Sequence, residues 1–148
     1  MNKLDNFKIV KKIDCSGMLK FISNLPEQCR DAYLLGNSIS VNKIPIKINN
    51  IVFAGMGGSG IGADIVQHYL RSELTIPVLI CRNYCLPNFV GEGTLLFCSS
   101  YSGNTEETLS CFEHGLKKRA FIITIGSGGI LKEMSLKNNA THVDIPAE

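Results

Sequence analysis

The later two-thirds of the chain alternate between short apolar runs and longer segments that mix apolar and polar positions. The apolar runs fall at about 50–55, 76–81, 94–99, 120–125 and 141–145. The first four are almost continuously apolar, which is typical of strands in a parallel sheet covered by helices. The pattern therefore predicts five strands, of which the first four are buried on both faces.

Helical spacing of apolar residues predicts helices between these strands, at about 59–72, 104–118 and 128–139. Asn104 or Thr105 is expected to cap the second of them, because such side chains accept hydrogen bonds from first-turn N–H groups. Upstream, residues 14–38 are predicted to form two helical pieces broken near Pro26. The segment 82–93 is too short for a long helix and is predicted to be a loop or a single turn.

The alternation of strands and helices indicates the fold class. Right-handed strand–helix–strand units build a doubly wound α/β/α sandwich of three layers, which binds ligands at the carboxyl ends of its strands. A chain of 148 residues is long enough for one ordinary domain. We expect residues 1–40 to form an N-terminal helical segment that packs on a domain formed by residues 41–148.

The charge and the cysteines limit the kinds of partner and the cellular compartment that we expect. The formal net charge is only +2 and the basic residues are scattered, so neither nucleic acid nor a membrane is an expected partner. The six cysteines contain no CxxC pair, and the N-terminus is too polar for a secretory signal. We therefore predict reduced thiols, no metal site and a cytoplasmic protein.

The first predicted strand ends in GMGGSG, residues 55–60. Its glycines allow an anion to approach backbone N–H groups closely, Ser59 can add a hydroxyl, and the following helix contributes partial positive charge at its N-terminus. These features predict an anion site. The alternative is purely structural, since glycines also let a chain turn tightly from strand to helix.

The third predicted strand ends in SSYSGNTEET, residues 99–108. Ser100, Ser102, Asn104 and Thr105 lie within six residues, between a buried strand and a helix. A helix cap needs only one such residue, so the others are expected to surround a phosphate with hydrogen-bond donors. The fourth strand ends in another small-residue turn, GSGG at 126–129, whose role is open between ligand binding and a tight turn.

The letters of GMGGSG also fit the G-x-G-x-x-G turn of dinucleotide-binding domains. That hypothesis requires an acidic residue for the ribose at the end of the second strand, where this chain has Arg82. An arginine there can instead accept the 2′-phosphate of NADP. The dinucleotide hypothesis leaves SSYSGNT unexplained, whereas one phosphate held by both loops accounts for both stretches.

GGSG followed by S-x-SGNT-x-ET after the third strand resembles the sugar isomerase (SIS) domain family. The similarity is greatest to the N-terminal half of the bifunctional phosphoglucose/phosphomannose isomerases, and it extends from NLPEQCRDA to THVDIP. The resemblance implies a five-stranded parallel sheet of flavodoxin-like order and no cofactor. It also implies that a sugar phosphate is the ligand, and that the domain forms a homodimer or pairs with a second SIS domain.

The resemblance assigns phosphate binding to side chains and to backbone groups. The side chains are Ser59, Ser100, Ser102 and Thr105, and the backbone contacts come from Gly57 and Gly58. In the family, the catalytic base and the ring-opening histidine lie in a second domain, and an arginine that helps the chemistry follows the fifth strand. This sequence stops at VDIPAE, where that arginine is expected, so the catalytic residues are unknown.

Several residues of the chain are chemically able to act as an acid or a base in isomerisation. They are His68, Glu106, Glu107, His114 and His142. The two glutamates are explained more simply as favourable charges in the first turn of a helix. The single-domain heptose-phosphate isomerases have a glutamate at the position of Tyr69, so their chemistry is not expected here.

Three functions remain open from the sequence. The leading hypothesis is the phosphosugar-binding domain of a phosphoglucose/phosphomannose isomerase, which is inactive by itself. The second is a stand-alone phosphosugar sensor or regulatory module that signals through a partner. The third is an NADP-binding domain, which depends on GMGGSG and Arg82.

Overall fold

The computed structural model describes residues 6–41, residue 44 and residues 47–146. The chain divides into two compact units, Met1–Ser40 and Val41–Glu148, and each is described by itself. The expected packing of the first unit on the second stays a prediction. None of the helices in the described part of the chain is long and apolar enough to cross a membrane.

The described residues of the first unit form three helices: α1 (Phe7–Ile13), α2 (Met18–Ser23) and α3 (Leu25–Ser38). Pro26 lies in the first turn of α3, where its missing N–H costs no helical hydrogen bond, so the predicted break near it is confirmed. Helix α1 was not anticipated. It starts at a side-chain cap, since Asn6 accepts a hydrogen bond from the N–H of Lys8.

The second unit contains a parallel sheet of five strands with the order β2-β1-β3-β4-β5, the flavodoxin-like order that was predicted. The strands are β1 (Asn50–Gly55), β2 (Val78–Cys81), β3 (Thr94–Ser99), β4 (Phe121–Gly126) and β5 (Thr141–Asp144). The helices are α4 (Gly57–Tyr69), α5 (Glu106–Lys117) and α6 (Gly129–Lys137). All eight elements lie close to their predicted positions.

The chain direction across the sheet reverses between β1 and β3. From β1 the chain crosses by α4 to β2, then returns over β1 to β3 and continues outward through β4 and β5. Neighbouring strands β1 and β3 therefore send their following segments to opposite faces, which opens a crevice at their carboxyl ends. The loops after β1 and β3 meet at this crevice.

The two faces of the sheet are buried to different degrees. One face packs against α5 and α6 and forms the core, which includes Val52, Leu96, Phe112 and Leu131. On the other face the rings of Phe53 and Phe97 stack with centroids 4.7 Å apart and are only half-buried. Strand β3 thus alternates between buried and half-buried positions, and β1 does so from Ile51 to Ala54. The predicted burial on both faces is found in β4, where residues 122–124 are all buried, and not in β1, β2 or β3.

The segment 82–93 forms no helix, as predicted, yet it takes the place of a crossover helix. Leu86 and Val90 are buried in the core on the face covered by α5 and α6. The loop is fastened to α5 by hydrogen bonds from Cys111 Sγ to the carbonyl of Asn83, 3.1 Å, and from Ser110 Oγ to that of Tyr84, 2.8 Å.

Candidate functional site

A cleft of about 550 Å³ lies at the carboxyl edge of the sheet, between the loops that follow β1 and β3. Its walls come mainly from residues 56–62 and 99–105, two segments that the parallel pairing of β1 with β3 brings together. The cleft is lined by Met56, Gly58, Ser59, Gly62, Ser99, Tyr101, Ser102, Thr105 and Ile145.

Four of the six predicted phosphate-binding residues line this cleft: Gly58, Ser59, Ser102 and Thr105. Ser100 lies behind them and is buried, with only 2% of its surface exposed. Gly57 starts α4 next to Gly58 but does not line the cleft. The structure therefore assembles residues from both motifs around one space, with Ser100 in a supporting position.

The hydroxyl groups in the loop after β3 are arranged to donate hydrogen bonds. Ser102 Oγ accepts a hydrogen bond of 3.2 Å from the backbone N–H of Asn104, which leaves its own proton available to an acceptor in the cleft. The hydroxyls of Ser100 and Thr105 are 2.8 Å apart. Because that bond uses one of their two protons, the pair can still donate the other.

Two helices that begin beside the cleft lack side-chain caps. Neither α4, which begins after Met56, nor α5, whose N-cap residue is Thr105, has a side chain that accepts from its first-turn N–H groups. The predicted capping of α5 by Asn104 or Thr105 is therefore wrong. The Thr105 hydroxyl is bonded to Ser100, and the Asn104 side chain reaches another helix. First-turn N–H groups and the helix dipole favour an anion at such a position.

The glutamates at the start of α5 do not line the cleft. Glu106 accepts a hydrogen bond of 3.4 Å from the hydroxyl of Tyr84, in the loop after β2. The charge of Glu107, together with burial and the charge of Glu106, raises the pKa of Tyr84, so this phenol stays protonated. The positions of Glu106 and Glu107 therefore agree with a structural role. Both are favourable charges in the first turn of α5, and Glu106 also holds the loop after β2 through Tyr84.

The histidines are also absent from the cleft lining. His68 Nδ1 is 2.9 Å from the carbonyl of Asp64 on α4, and the residue lines a separate cavity of about 280 Å³ near the start of β2. The side chain of His142 is buried, although the residue as a whole is half-buried, and its Nδ1 is 2.7 Å from Thr124 Oγ1. Burial lowers the pKa of His142, although the charge of Asp144 partly opposes this effect.

Arg82 follows β2, but its charge is already engaged. The guanidinium group forms an ion pair with Asp64 and donates a 3.3 Å hydrogen bond to the carbonyl of Gly60. A Cβ atom on Gly60 would lie 2.9 Å from Arg82 Nε and 2.8 Å from the Gly55 carbonyl oxygen. The third glycine of the motif thus makes room for the arginine and the strand, and a 2′-phosphate of NADP would have to compete with Asp64.

The small-residue turn after β4 does not line the cleft. It packs against the loop after β3, which indicates a structural role for GSGG.

Some residues that line the cleft were not predicted from the sequence. They include Met56, Ser99 and Tyr101, all within or beside the two motifs, and Ile145 after β5. Only proximity to a motif could have indicated the first three, and nothing in the sequence marked Ile145. Across the described residues there is no cluster of His, Cys, Asp and Glu arranged to hold a metal ion.

The sheet order and the cleft at its switch point define an α/β protein of the SIS type. A solved structure with this fold is tagatose-6-phosphate ketose/aldose isomerase from Escherichia coli, with a TM-score of 0.58 and 22% identity over 69% of this chain and 31% of that chain. No protein-family model matches the sequence.

Sequence relatives narrow the class. The bifunctional phosphoglucose/phosphomannose isomerase of Caldicellulosiruptor bescii is 43% identical over 130 residues, which are 88% of this chain and 38% of the relative. That of Thermoplasma acidophilum is 48% identical over 88 residues, 60% of this chain and 27% of the relative. The chain therefore has the SIS-type fold and is homologous to part of the bifunctional phosphoglucose/phosphomannose isomerases. It spans well under half the length of these relatives.

Proposed function

We propose that this chain is the phosphosugar-binding domain of a phosphoglucose/phosphomannose isomerase. The observation that carries the proposal is the single cleft, lined from both motifs, in which hydroxyl protons and two uncapped helix N-termini come together. The ligand is the phosphate of glucose 6-phosphate, fructose 6-phosphate or mannose 6-phosphate. Its sugar extends from the phosphate into the remainder of the cleft.

Among the described residues, the lining of the site includes no lysine or arginine, so neutral groups there would hold the dianion. Neutral donors can do this because a hydrogen bond to a charged group contributes about 1.5–3 kcal/mol, more than one between neutral partners. Gly58, Ser59, Ser102 and Thr105 supply these donors, with Ser100 orienting Thr105 and Gly57 opening the helix.

We place the catalytic step outside this chain. Isomerisation between an aldose and a ketose moves a proton between adjacent carbons and requires a base close to the bound sugar. Glu106, Glu107 and His142 do not line the cleft, and each has a structural partner or position. The purified chain should bind sugar phosphates without turning them over, and robust turnover in a coupled assay would contradict this.

We further propose that the domain works as a pair, in a homodimer or with a second SIS domain, in the cytoplasm. Ile61, Ile65 and Tyr69 form an exposed stripe along α4, since they are spaced by four residues and are 58%, 64% and 77% exposed. Sedimentation at high protein concentration tests self-association, and a clean monomer would count against the homodimer.

Thermal stability with and without ligand tests the proposed function. Fructose 6-phosphate at 100 times its dissociation constant would add about 2.7 kcal/mol to the folded state, a readily measured increase in melting temperature. NADP and inorganic phosphate are the comparators. A shift with NADP alone would make GMGGSG a dinucleotide turn and overturn the proposal.

The double variant Ser102→Ala, Thr105→Ala tests the site itself. Loss of two charge-assisted hydrogen bonds of about 1.5–3 kcal/mol each should abolish measurable binding while the fold survives. Ser110→Ala is a matched control. Ser110 lies on α5, whose N-cap residue is Thr105, but its hydroxyl donates to the carbonyl of Tyr84. Unchanged affinity in the double variant would remove these residues from the site.

A further inference from the structure

The loops after β3 and β4 are in direct backbone contact. A Cβ atom on Gly103 would lie 1.8 Å from the carbonyl oxygen of Gly128, and one on Gly129 would lie 2.5 Å from that of Ser102. Gly103 and Gly129 both have φ of +68°, which side chains other than glycine rarely adopt. No side chain separates the two loops at this point.

Hydrogen bonds between the two loops follow one another along the contact. The N–H and the hydroxyl of Ser127 both donate to the carbonyl of Tyr101, at 3.0 and 2.6 Å. The N–H of Leu131, in the first turn of α6, donates to the carbonyl of Gly103 at 2.9 Å. The turn after β4 thus fixes the path of the loop that carries the cleft hydroxyls.

Asn104 links the contact to the cleft. Its side-chain Oδ1 accepts a 3.1 Å hydrogen bond from the N–H of Ile130 in the first turn of α6, whose own N-cap residue, Gly128, has no side chain. Its backbone N–H donates to Ser102 Oγ at 3.2 Å. One residue therefore caps a helix with its side chain and orients a cleft hydroxyl with its backbone.

We propose that Asn104 is a positioning residue of the phosphate site rather than a ligand, a role that rests on the proposed function. By capping α6 from the neighbouring loop, Asn104 fixes its own backbone and hence the Ser102 hydroxyl that faces the cleft. The same bond occupies a first-turn N–H of α6, so the anion is directed to the uncapped helices α4 and α5.

The test compares Asn104→Ala with the whole wild-type chain, using fructose 6-phosphate as the probe. We expect Ile130 to lose amide hydrogen-exchange protection and the affinity for the probe to fall about five- to tenfold, as for loss of one orienting hydrogen bond. Asn104→Asp keeps an oxygen that accepts from Ile130 and should keep the protection. Asn138→Ala is the control, because Asn138 bonds to Met134 at the other end of α6, and it should leave affinity unchanged.

A double-mutant cycle with Ser102→Ala separates positioning from general stability. If Asn104 acts through Ser102, its replacement should change affinity much less when Ser102 is already alanine. Equal fold-changes in both backgrounds would overturn the positioning role. If Asn104→Ala does not fold, Asn104→Gln serves in the same cycle, since it displaces the amide oxygen by one methylene.

The two proposals fail in distinguishable ways. A wild-type chain that binds no fructose 6-phosphate would overturn the proposed function, and with it the role of Asn104. Wild-type binding that persists unchanged in Asn104→Ala, or Ile130 protection that persists there, would overturn the role of Asn104 alone.

Discussion

Two glycine-rich turns in this protein look alike in sequence and have different surroundings in the structure. GMGGSG follows β1 and GSGG follows β4, and each leads into a helix at the carboxyl edge of one parallel sheet. The first contributes Gly58 and Ser59 to the cleft. The second is covered by the loop after β3, and Asn104 caps its helix.

The difference shows that a small-residue turn is not enough to define an anion site. Both helices present first-turn N–H groups and the positive end of a dipole. What separates them is whether the rest of the fold leaves those groups uncovered. At α4 no side chain caps the helix, whereas at α6 a side chain from a neighbouring loop does.

The largest expected effect comes from a methyl group placed in the contact between the loops. Gly103→Ala combines a left-handed φ with a clash against the backbone of Gly128, so we expect a loss of about 3–5 kcal/mol in the free energy of unfolding. Gly57→Ala is the control, because its φ of +50° is also strained but its Cβ would meet open space. It should lose only about 1–2 kcal/mol.

Urea unfolding of both variants measures the difference. If Gly103→Ala were as stable as Gly57→Ala, the loops after β3 and β4 would not be in the tight contact described, and the comparison between the two turns would fail.

The same serine substitution should have different consequences in the two turns. Ser59→Ala removes a cleft hydroxyl and should weaken fructose 6-phosphate binding by about 1.5–3 kcal/mol with little change in stability. Ser127→Ala removes a bond to Tyr101 and should lower stability by about 0.5–1.5 kcal/mol. Its affinity should change little, because the Ser127 N–H still holds the same carbonyl.

Calorimetric titration measures the affinity of each variant for fructose 6-phosphate, and urea unfolding measures its free energy of unfolding. A larger loss of affinity in Ser127→Ala than in Ser59→Ala would reverse the assignment of the two turns.

Much of the fold follows from local sequence patterns. The five apolar runs and the small-residue turns predicted the strands, their parallel pairing and the edge that carries the cleft, because each depends on neighbouring residues. Break points marked by proline were also predictable, as at Pro26. The resemblance to SIS domains supplied the strand order, which local patterns alone left undetermined.

The contents of the cleft were harder to predict because they depend on contacts between distant segments. Asn104 was expected to cap its own helix or to donate to a phosphate, yet it caps α6. Ser100 was expected in the lining but lies behind Thr105. The Asn104 side chain had a local and a long-range partner available, and its long-range contact with Ile130 depends on how β3 and β4 pair. The partner of Ser100 lies in the same loop, and the sequence did not show which of the loop hydroxyls would pair with each other.

A smaller effect is expected at the first glycine of the cleft. Gly58 lies in the first turn of α4, and a Cβ atom there would meet nothing within 4 Å. Gly58→Ala should therefore raise stability by about 0.4–1 kcal/mol, because alanine restricts the unfolded chain. It should also weaken fructose 6-phosphate binding, since the methyl group enters the cleft. A variant with increased stability and unchanged affinity would exclude Gly58 from ligand contact.

The smallest expected effect is a dependence of stability on pH that is localised near α6. Burial of His142 lowers its pKa, so below its ordinary pKa of about 6.5 the unfolded chain binds a proton more readily than the folded chain. Stability should therefore fall as the pH is lowered from about 7 towards the depressed pKa of His142. His142→Asn should flatten this part of the profile.

Hydrogen exchange locates the change within the molecule. His142 bonds to Thr124, whose hydroxyl is 2.6 Å from that of Ser135 on α6, so protonation should loosen the amides of α6 before those of α4. The second turn would then open at acid pH while the first keeps its structure, because its stability depends on no buried histidine. Equal loss of protection in α4 and α6 would mean that the two turns respond to pH as one unit. The turns would then differ only in what covers the N-terminus of each helix.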